Sequence, residues 1–238
     1  MKKLYLDPQN PYSVLNKSYL WHWWPLLKFD LIGRFGDFFL SKPPPQKESD
    51  PLLHLGCGGN YLKGFINADF YYYAFKFGKN KPQIDWLLDL RKPLNCPDNF
   101  WAGVFTEHTL EHLHPSDNYL LLKELFRTMK NGAYIRICVP GLMETIRAFQ
   151  PDPDEAIIEY KNTLPYTTLA EAVWGLTQQW GHLSTFNAEF LTALLAEAGF
   201  SNCVEVAFKV GNNPKLIQDS PERHLGSLYV EAQKIISS

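Results

Sequence analysis

Residues 53–70 read LHLGCGGNYLKGFINADF, and this stretch decides the fold. It begins with apolar residues, turns at the glycine-rich segment 56–59, becomes apolar again at 65–68 and ends at Asp69. Two short buried strands joined by a glycine turn give this pattern. Glycine tolerates positive φ and lets a bound molecule contact the backbone, so the turn predicts a ligand site at the end of the first strand.

The rest of the chain alternates short apolar runs with helical patterns. The apolar runs predict strands at 52–55, 65–68, 84–90, 101–106, 133–139, 203–208 and 227–232. The clearest helix follows Pro115 and is expected to end in a cap at 130–132, and a second helix is expected at 188–198 after Asn187. This alternation predicts an α/β fold with a doubly wound, mostly parallel sheet of seven strands and helices on both faces. Ligands of such sheets bind at the carboxyl ends of the strands.

Composition narrows the class of protein. The chain has 238 residues, of which 45% are hydrophobic, which suits one α/β domain with an extension. A net charge of −2 argues against a broad nucleic-acid surface. The first residues lack the apolar core of a signal peptide, and no cysteines form a CxxC pair, so a reduced, cytoplasmic protein is the simplest interpretation. The cysteines are Cys57, Cys96, Cys138 and Cys203.

The N-terminal segment 19–40 reads YLWHWWPLLKFDLIGRFGDFFL and is rich in aromatic residues. Four charges interrupt it, and Pro25 and two glycines break it, so it is a poor transmembrane helix. Two interpretations stay open, namely an aromatic arm or lid packed on the domain, or a peripheral contact with a membrane surface or another subunit. The proline-rich segment 41–51 predicts a stiff linker, which divides the chain into an arm at 1–50 and a main domain at 51–238.

Two acids follow successive predicted strands. Asp69 ends the second strand, where a carboxylate can accept both hydroxyls of a ribose, and Asp89 ends the third, where it can accept from an adenine amino group. The dinucleotide pattern GxGxxG is absent because Tyr61 occupies the third glycine position, and no P-loop lysine follows. The alternative is that both acids only cap loops.

Six stretches together resemble a class I S-adenosylmethionine-dependent methyltransferase of the broad type 11 kind. They are LHLGCGG, INADF, DWLLDLRKPL, VFTEHTLEHL, LFRTMKNGAYIRICVPG and WGHLSTFNAEFLTALLAEAGF. The last is similar to a smaller group of predicted bacterial methyltransferases that is often associated with surface polysaccharide genes. The resemblance covers about 51–234. It implies a Rossmann-like seven-stranded sheet whose last strand is antiparallel, with S-adenosylmethionine as cofactor and S-adenosylhomocysteine as product.

Some positions depart from the family pattern. His54 stands where the family usually has an acid in the first strand, and the usual Pro-Gly-Gly turn is here Asn131, Gly132 and Ala133. Only residues 59–64 separate the glycine turn from the second strand, although parallel crossovers normally need about a dozen residues. The usual first helix is therefore expected to be a single turn at most.

The resemblance assigns candidate site residues. Methyl transfer to a hydroxyl benefits from a histidine base, and the candidates are His108, after the fourth strand, and His182. The segment 141–182 is expected to form a lid over the acceptor, with Tyr166, Trp174 and Trp180 as its aromatic residues. The expected cofactor-binding residues are Leu55, Gly56, Cys57, Gly58, Asn60, Asp69, Phe70, Asp89, Leu90, Glu107 and His108.

A motif of a different protein class lies within the stretch VFTEHTLEHL. Residues 108–112 read HTLEH, the H-x-x-E-H pattern of inverted zinc proteases, with His182 or Glu124 as the available third ligand. The methyltransferase interpretation explains this stretch and five others, so no metal is assigned. The expected partner is a small-molecule or saccharide acceptor without nucleic acid, and the oligomeric state stays open. The alternatives are an N- or C-methyltransferase, a non-catalytic cofactor-binding module and, remotely, a zinc hydrolase.

Overall fold

The computed structural model describes residues 19–46, 48–78, 81–151 and 155–236, and in the first helix it describes side chains from residue 27 onward. The helices are α1 Tyr19–Phe39, α2 Pro115–Thr128, α3 Leu142–Arg147, α4 Glu155–Thr163, α5 Leu169–Gln178 and α6 Ala188–Glu197. The strands are β1 Leu52–Leu55, β2 Phe65–Phe70, β3 Trp86–Leu88, β4 Trp101–Glu107, β5 Met129–Pro140, β6 Ser201–Val206 and β7 Ser227–Gln233.

The strands form one sheet in the order β3-β2-β1-β4-β5-β7-β6. All of them run parallel except β7, which is antiparallel to β5 and β6 on either side. This confirms the predicted seven-stranded sheet with an antiparallel last strand. Because β1 pairs with both β2 and β4, the strand order reverses at β1, and the crevice there is where such sheets bind ligands.

The expected C-terminal cap of α2 at 130–132 is wrong, because the helix ends at Thr128 and those residues belong to β5. The Thr128 hydroxyl donates to the carbonyl of Glu124 at 2.8 Å, inside the helix. Lys234 then donates its ammonium to the carbonyls of Arg127 and Met129, at 3.2 and 2.7 Å. A lysine that directly follows the last strand therefore satisfies the helix end in place of a glycine turn.

The two faces of the sheet carry different cores. Leu53, Leu55 and Ile135 face α2 and α6 and belong to the main hydrophobic core. On the opposite face a smaller cluster forms where Phe105 packs on Leu216, in the short 3-10 helix Pro214–Leu216. This face also buries an ionic group that fixes the segment around 207–219 to the sheet. In it Arg136 pairs with Asp219 at 2.6 Å and with Glu231 at 2.9 Å.

The crossover between β1 and β2 contains no helix, as its short length predicts. Asn67 holds it in place, because its Oδ1 accepts from the Leu62 backbone at 2.8 Å and its amide donates to the Leu62 carbonyl at 2.9 Å. The same Oδ1 lies 3.0 Å from Nδ1 of His54, and Asp85 accepts from the Asn67 backbone at 3.0 Å. A buried polar group thus replaces the family's first helix in fixing the loop.

The N-terminal segment forms one continuous helix, so the prediction that Pro25 and the glycines break it is wrong. The glycines lie against the main domain where side chains would not fit. A β-carbon on Gly33 would lie 2.5 Å from Asp89, and one on Gly36 would lie 2.1 Å from the ring of Tyr71. In the part of the chain that the structure describes, no helix has the length and apolar character that crossing a membrane requires.

Candidate active site

The glycine turn after β1 is fixed to the end of β2. The backbone N–H groups of Gly56 and Cys57 both donate to the carbonyl of Ala68, at 2.9 and 3.1 Å. Gly56 and Gly58 have φ of +69° and +53°, in the left-handed region that favours glycine. The loop therefore has one defined shape, and it lies at the carboxyl end of β1 as the sequence predicts.

Asp69 closes this loop. Its Oδ2 accepts from the backbone N–H of Gly58 and its Oδ1 from that of Phe70, both at 2.6 Å. Burial raises the pKa of Asp69, while these two backbone hydrogen bonds and Lys76 act in the opposite direction. A carboxylate oxygen can accept a second hydrogen bond, so each one retains capacity for a ligand hydroxyl.

Free space adjoins this carboxylate. A β-carbon on Gly59 would meet nothing within 4 Å, and one on Gly58 would meet only the Tyr73 hydroxyl, at 3.9 Å. Backbone and ligand can therefore approach each other closely at this turn. The geometry fits a ribose held by the two oxygens of Asp69.

Asp89 follows β3 and is almost fully buried. Its Oδ1 accepts from the backbone and from Nε of Arg91, at 3.0 and 2.9 Å, and its Oδ2 accepts from Nη2 at 2.7 Å. Arg91 also pairs with Asp30 of α1 at 2.6 Å. The acid predicted to contact adenine is thus paired with an arginine that links it to the N-terminal helix.

His108 lies just beyond β4, with a φ of +50° that is unusual for a residue other than glycine. Its Nε2 is 3.0 Å from the hydroxyl of Ser227, which donates its own hydrogen to the carbonyl of Arg223 at 2.6 Å. Nε2 must therefore carry the hydrogen and Nδ1 the lone pair. Burial, more than the neighbouring charges, lowers the pKa of His108 to about 3, so the imidazole is uncharged at neutral pH.

Glu107 binds the segment that precedes β7. Its Oε1 accepts from the backbone of Ser220 at 2.9 Å, and its Oε2 accepts from the Ser220 hydroxyl. It ties β4 to the segment that precedes β7. Its expected part in cofactor binding stays a prediction, and its observed contacts are with protein groups.

His182 lies at the end of the predicted lid and reaches the segment that follows β4. Its Nδ1 is 2.6 Å from the carbonyl of Leu176, and its ring meets that of His112 edge-on at a centroid distance of 5.1 Å. The backbone N–H groups of Leu183 and Ser184 donate to the carbonyl of Glu111 at 2.7 and 3.0 Å. The lid end is therefore fixed over residues 110–112, which form a 3-10 helix and not the α-helix of a zinc protease.

The three lid aromatics differ in their surroundings. Tyr166 is buried and packs on Gly175, where a β-carbon would overlap its hydroxyl. It belongs to the interior of the lid. Trp180 is 53% exposed, with its ring centroid 5.9 Å from that of His182. Trp174 is half-buried in α5, so Trp180 is the aromatic beside the candidate histidine.

The structure places the predicted residues together at the carboxyl ends of neighbouring parallel strands. The carboxyl ends of β1, β2, β3 and β4 carry Leu55, Gly56, Cys57, Gly58, Asn60, Asp69, Phe70, Asp89, Leu90, Glu107 and His108. Sequence reasoning missed three residues that shape this edge. Asn67 fixes the crossover, Arg91 holds Asp89, and the Thr109 hydroxyl donates to the carbonyl of Leu55 at 3.4 Å. Only the position of Arg91, two residues after a motif acid, could have suggested its role.

The strand order, the glycine turn after β1 and the acid after β2 define the class I S-adenosylmethionine-dependent methyltransferase fold. The comparison with protein families agrees, since the model for the methyltransferase domain matches residues 20–205. The chain therefore belongs to the methyltransferase-domain family. Its cofactor is S-adenosylmethionine, and the open turn and the paired acceptor oxygens of Asp69 fit that molecule.

Solved structures of methyltransferases are similar to this chain, whereas no curated protein matches it. An S-adenosylmethionine-dependent methyltransferase from Archaeoglobus fulgidus is 16% identical over 91% of this chain and 100% of that one, with a TM-score of 0.48. A possible histamine N-methyltransferase from Thermotoga maritima is 14% identical over 94% and 97%, also at 0.48. Phosphoethanolamine N-methyltransferase 2 from Haemonchus contortus, in complex with S-adenosylmethionine, is 12% identical over 88% and 53%, at 0.43.

Proposed function

We propose that this protein methylates a hydroxyl of a small-molecule or saccharide acceptor and that Nδ1 of His108 receives the acceptor proton. The observation that carries the proposal is the uncharged imidazole of His108, held by Ser227 with its lone pair on Nδ1, at the strand end beside the glycine turn. An uncharged imidazole can take a proton, which a protonated hydroxyl must lose before its oxygen becomes a good nucleophile.

Thr109 supports this placement of His108. Its one hydroxyl hydrogen is shared between the carbonyls of Leu55 and Glu107, whose oxygens lie 3.4 and 3.2 Å from the hydroxyl oxygen. The residue after His108 therefore contacts the ends of both β1 and β4. S-adenosylmethionine supplies a methyl group that its sulfonium already activates, so the chain's own tasks are to align the acceptor, exclude water and hold the proton.

The predicted lid at 141–182 supplies the other wall of the proposed acceptor site. Its helix α5 begins with a capping box in which Thr168 and Glu171 satisfy each other's backbone groups. Directly after the lid, the backbone N–H groups of Leu183 and Ser184 donate to the carbonyl of Glu111. The exposed ring of Trp180 offers an apolar face on which a sugar or another ring can stack. The four free cysteines support a reducing, cytoplasmic environment.

The test is transfer of an isotopically labelled methyl group to a matched panel of saccharides, other alcohols, amines and carbon acids. Magnetic resonance of the labelled methyl then identifies the atom that carries it. We expect an O-methyl product, and we expect His108→Ala to cut turnover by roughly 10²–10⁴-fold without changing donor affinity. His114→Asn is the matched control, because His114 is an exposed N-cap of α2 and asparagine preserves the cap. An N- or C-methyl product contradicts the proposal.

A further inference from the structure

We propose that Glu111, His112 and His182 bind a divalent transition-metal ion, represented by Zn²⁺, beside His108. Each of the three residues offers one ligand atom, and these atoms lie within 4.8 Å of one another. The binding claim depends on this cluster alone. Only the role assigned to the ion rests on the proposed function.

The distances between the candidate ligand atoms are close to those around a bound metal ion. Oε1 of Glu111 lies 4.0 Å from Nε2 of His112 and 3.6 Å from Nδ1 of His108. Ligand atoms around tetrahedral zinc are about 3.4 Å apart, as bond lengths of about 2.0–2.1 Å require. Modest side-chain rotations therefore bring the three atoms into coordination distance.

Glu111 is the strongest sign that something binds here. Its side chain is 2% exposed, and neither carboxylate oxygen has a hydrogen-bond partner among the residues that the structure describes. A buried carboxylate without hydrogen-bond partners is costly, because burial removes its hydration and no hydrogen bond replaces it. A bound cation would supply the missing charge and coordination.

His182 is oriented as metal-binding histidines usually are. His182 can donate its Nδ1 hydrogen to the carbonyl of Leu176 at 2.6 Å, which leaves the lone pair on Nε2. Metal-binding histidines commonly make such a hydrogen bond to a backbone carbonyl with the nitrogen that does not bind the ion. The Leu183 and Ser184 backbone bonds to the carbonyl of Glu111 hold the lid end beside the carboxylate. Residues 71 positions apart in the chain (182 − 111) are thus held together by contacts independent of any ion.

Two imidazoles and one carboxylate suit zinc and neighbouring divalent transition metals, whereas magnesium and calcium prefer oxygen ligands. The side chain of His112 is 44% exposed, so the cluster opens on one side toward solvent and the lid. Three protein ligands with an open position are typical of catalytic zinc sites. A protease arrangement would instead place both histidines of 108–112 on one face of an α-helix, but residues 110–112 form a 3-10 helix.

The role of the ion follows from the proposed acceptor. A hydroxyl bound at the open position becomes more acidic, because the cation stabilises its alkoxide. Its O–H bond then breaks with the proton passing to Nδ1 of His108. The oxygen electron pair forms the new bond to the methyl carbon, and the electrons of the carbon–sulfur bond leave with S-adenosylhomocysteine. Under this assignment His182 holds the ion and His108 is the remaining proton acceptor.

Titration of the full-length protein with Zn²⁺ by calorimetry, after removal of metals with a chelator, tests the site. We expect one equivalent to bind, and Co²⁺ in its place should give the visible absorption of a site with nitrogen and oxygen ligands. Glu111→Gln and His182→Ala should each weaken zinc binding by roughly 100-fold or more, since each removes a ligand. His114→Asn should bind like the wild type, and Mg²⁺ should compete weakly.

Thermal unfolding of each variant checks that it is folded, and His182→Asn provides a smaller change if His182→Ala fails to fold. Equal zinc affinity in wild type, Glu111→Gln and His182→Asn would overturn the proposal, as would the lack of stoichiometric binding by the wild type. Methyl transfer is measured separately. Zinc binding that depends on these ligands in a protein that methylates only amines would retain the metal site and reject the hydroxyl acceptor.

Discussion

Thr109 packs so closely on Gly56 that a β-carbon on the glycine would lie 2.0 Å from the threonine hydroxyl oxygen. This contact joins the glycine turn after β1 to the segment after β4, which carries His108. Since Gly56 also has a φ of +69°, the position excludes side chains for two independent reasons. The distance between the proposed donor site and the proposed proton acceptor therefore depends on the absence of a side chain at Gly56.

Gly56→Ala should lower the free energy of unfolding by about 1–3 kcal/mol, the usual cost of overpacking and of an L residue at positive φ. It should also weaken S-adenosylhomocysteine binding. Gly59→Ala is the matched control for stability, because a β-carbon there meets no protein atom within 4 Å and the residue has no positive φ. Chemical denaturation measures stability, and calorimetric titration measures ligand affinity. Similar stability in the two variants would show that the contact does not constrain the loop.

Asp69→Ala should weaken S-adenosylhomocysteine binding by about 1.5–3 kcal/mol, as expected for the loss of hydrogen bonds to a charged group. An analogue of this product without its two ribose hydroxyls sharpens the test. The wild type should prefer the natural ligand strongly, whereas Asp69→Ala should bind both molecules alike. Asp98→Ala is the control, because Asp98 is exposed and precedes β4, at the opposite edge of the sheet. An unchanged preference in Asp69→Ala would remove Asp69 from the ribose site.

The sequence predicts the sheet well because its strands depend on local patterns. Apolar runs mark the strands, and Asp69 and Asp89 lie at the ends of such runs. The helix end at Thr128 could not be predicted from local sequence, since it is satisfied by Lys234, which follows the last strand. The glycines that were expected to break α1 instead let it lie close to the main domain.

The proposed metal-ligand cluster shows a similar limit of sequence reasoning. The motif at 108–112 was visible in the sequence, but the α-helix that a zinc protease needs is not formed there, because residues 110–112 form a 3-10 turn. The sequence offered His182 as an available third ligand, but no motif indicated that it lies near residues 108–112. Its nearness to Glu111 depends on backbone hydrogen bonds between the lid and the segment after β4, which no spacing in the sequence encodes.

His54 should make the protein less stable in mild acid. Burial lowers its pKa to about 4, against about 6.5 in an unfolded chain, while its hydrogen bond to Asn67 acts in the opposite direction. Between these values the unfolded state binds more protons, so the stabilising contribution is full above about pH 6.5 and is lost as pH falls toward 4. The loss amounts to about 3 kcal/mol for a shift of this size.

Urea denaturation of wild type and His54→Gln from pH 7.5 to 5 checks this effect. The variant should lose stability less steeply with falling pH, and the difference between the two proteins isolates His54 from the other buried histidines. The difference at pH 7.5 reports the packing and hydrogen bonding lost on substitution, separately from proton binding. Parallel curves for the two proteins would contradict the assignment.

Arg91 should stabilise the donor side of the site because it compensates the charge of Asp89, whose side chain is only 2% exposed. Arg91→Ala leaves that carboxylate buried without its cation and should cost about 3 kcal/mol of unfolding free energy, together with a loss of S-adenosylhomocysteine affinity. Asp30→Ala is the matched control. It removes only the outer partner of Arg91. Because the side chain of Asp30 is 58% exposed, the variant should cost less than about 1 kcal/mol of unfolding free energy and leave donor binding nearly unchanged.

The same pair of variants tests how α1 contributes to the site. Cleavage of α1 by a protease at low concentration should become faster in Arg91→Ala, because Arg91 joins the helix to the end of β3 through Asp30 and through the Phe29 carbonyl at 3.4 Å. Addition of S-adenosylhomocysteine should slow cleavage in the wild type, since α1 contacts Asp89, one of the predicted cofactor-binding residues. If α1 is cleaved equally fast in all three proteins, with or without ligand, the helix packs independently of Arg91 and of the cofactor site.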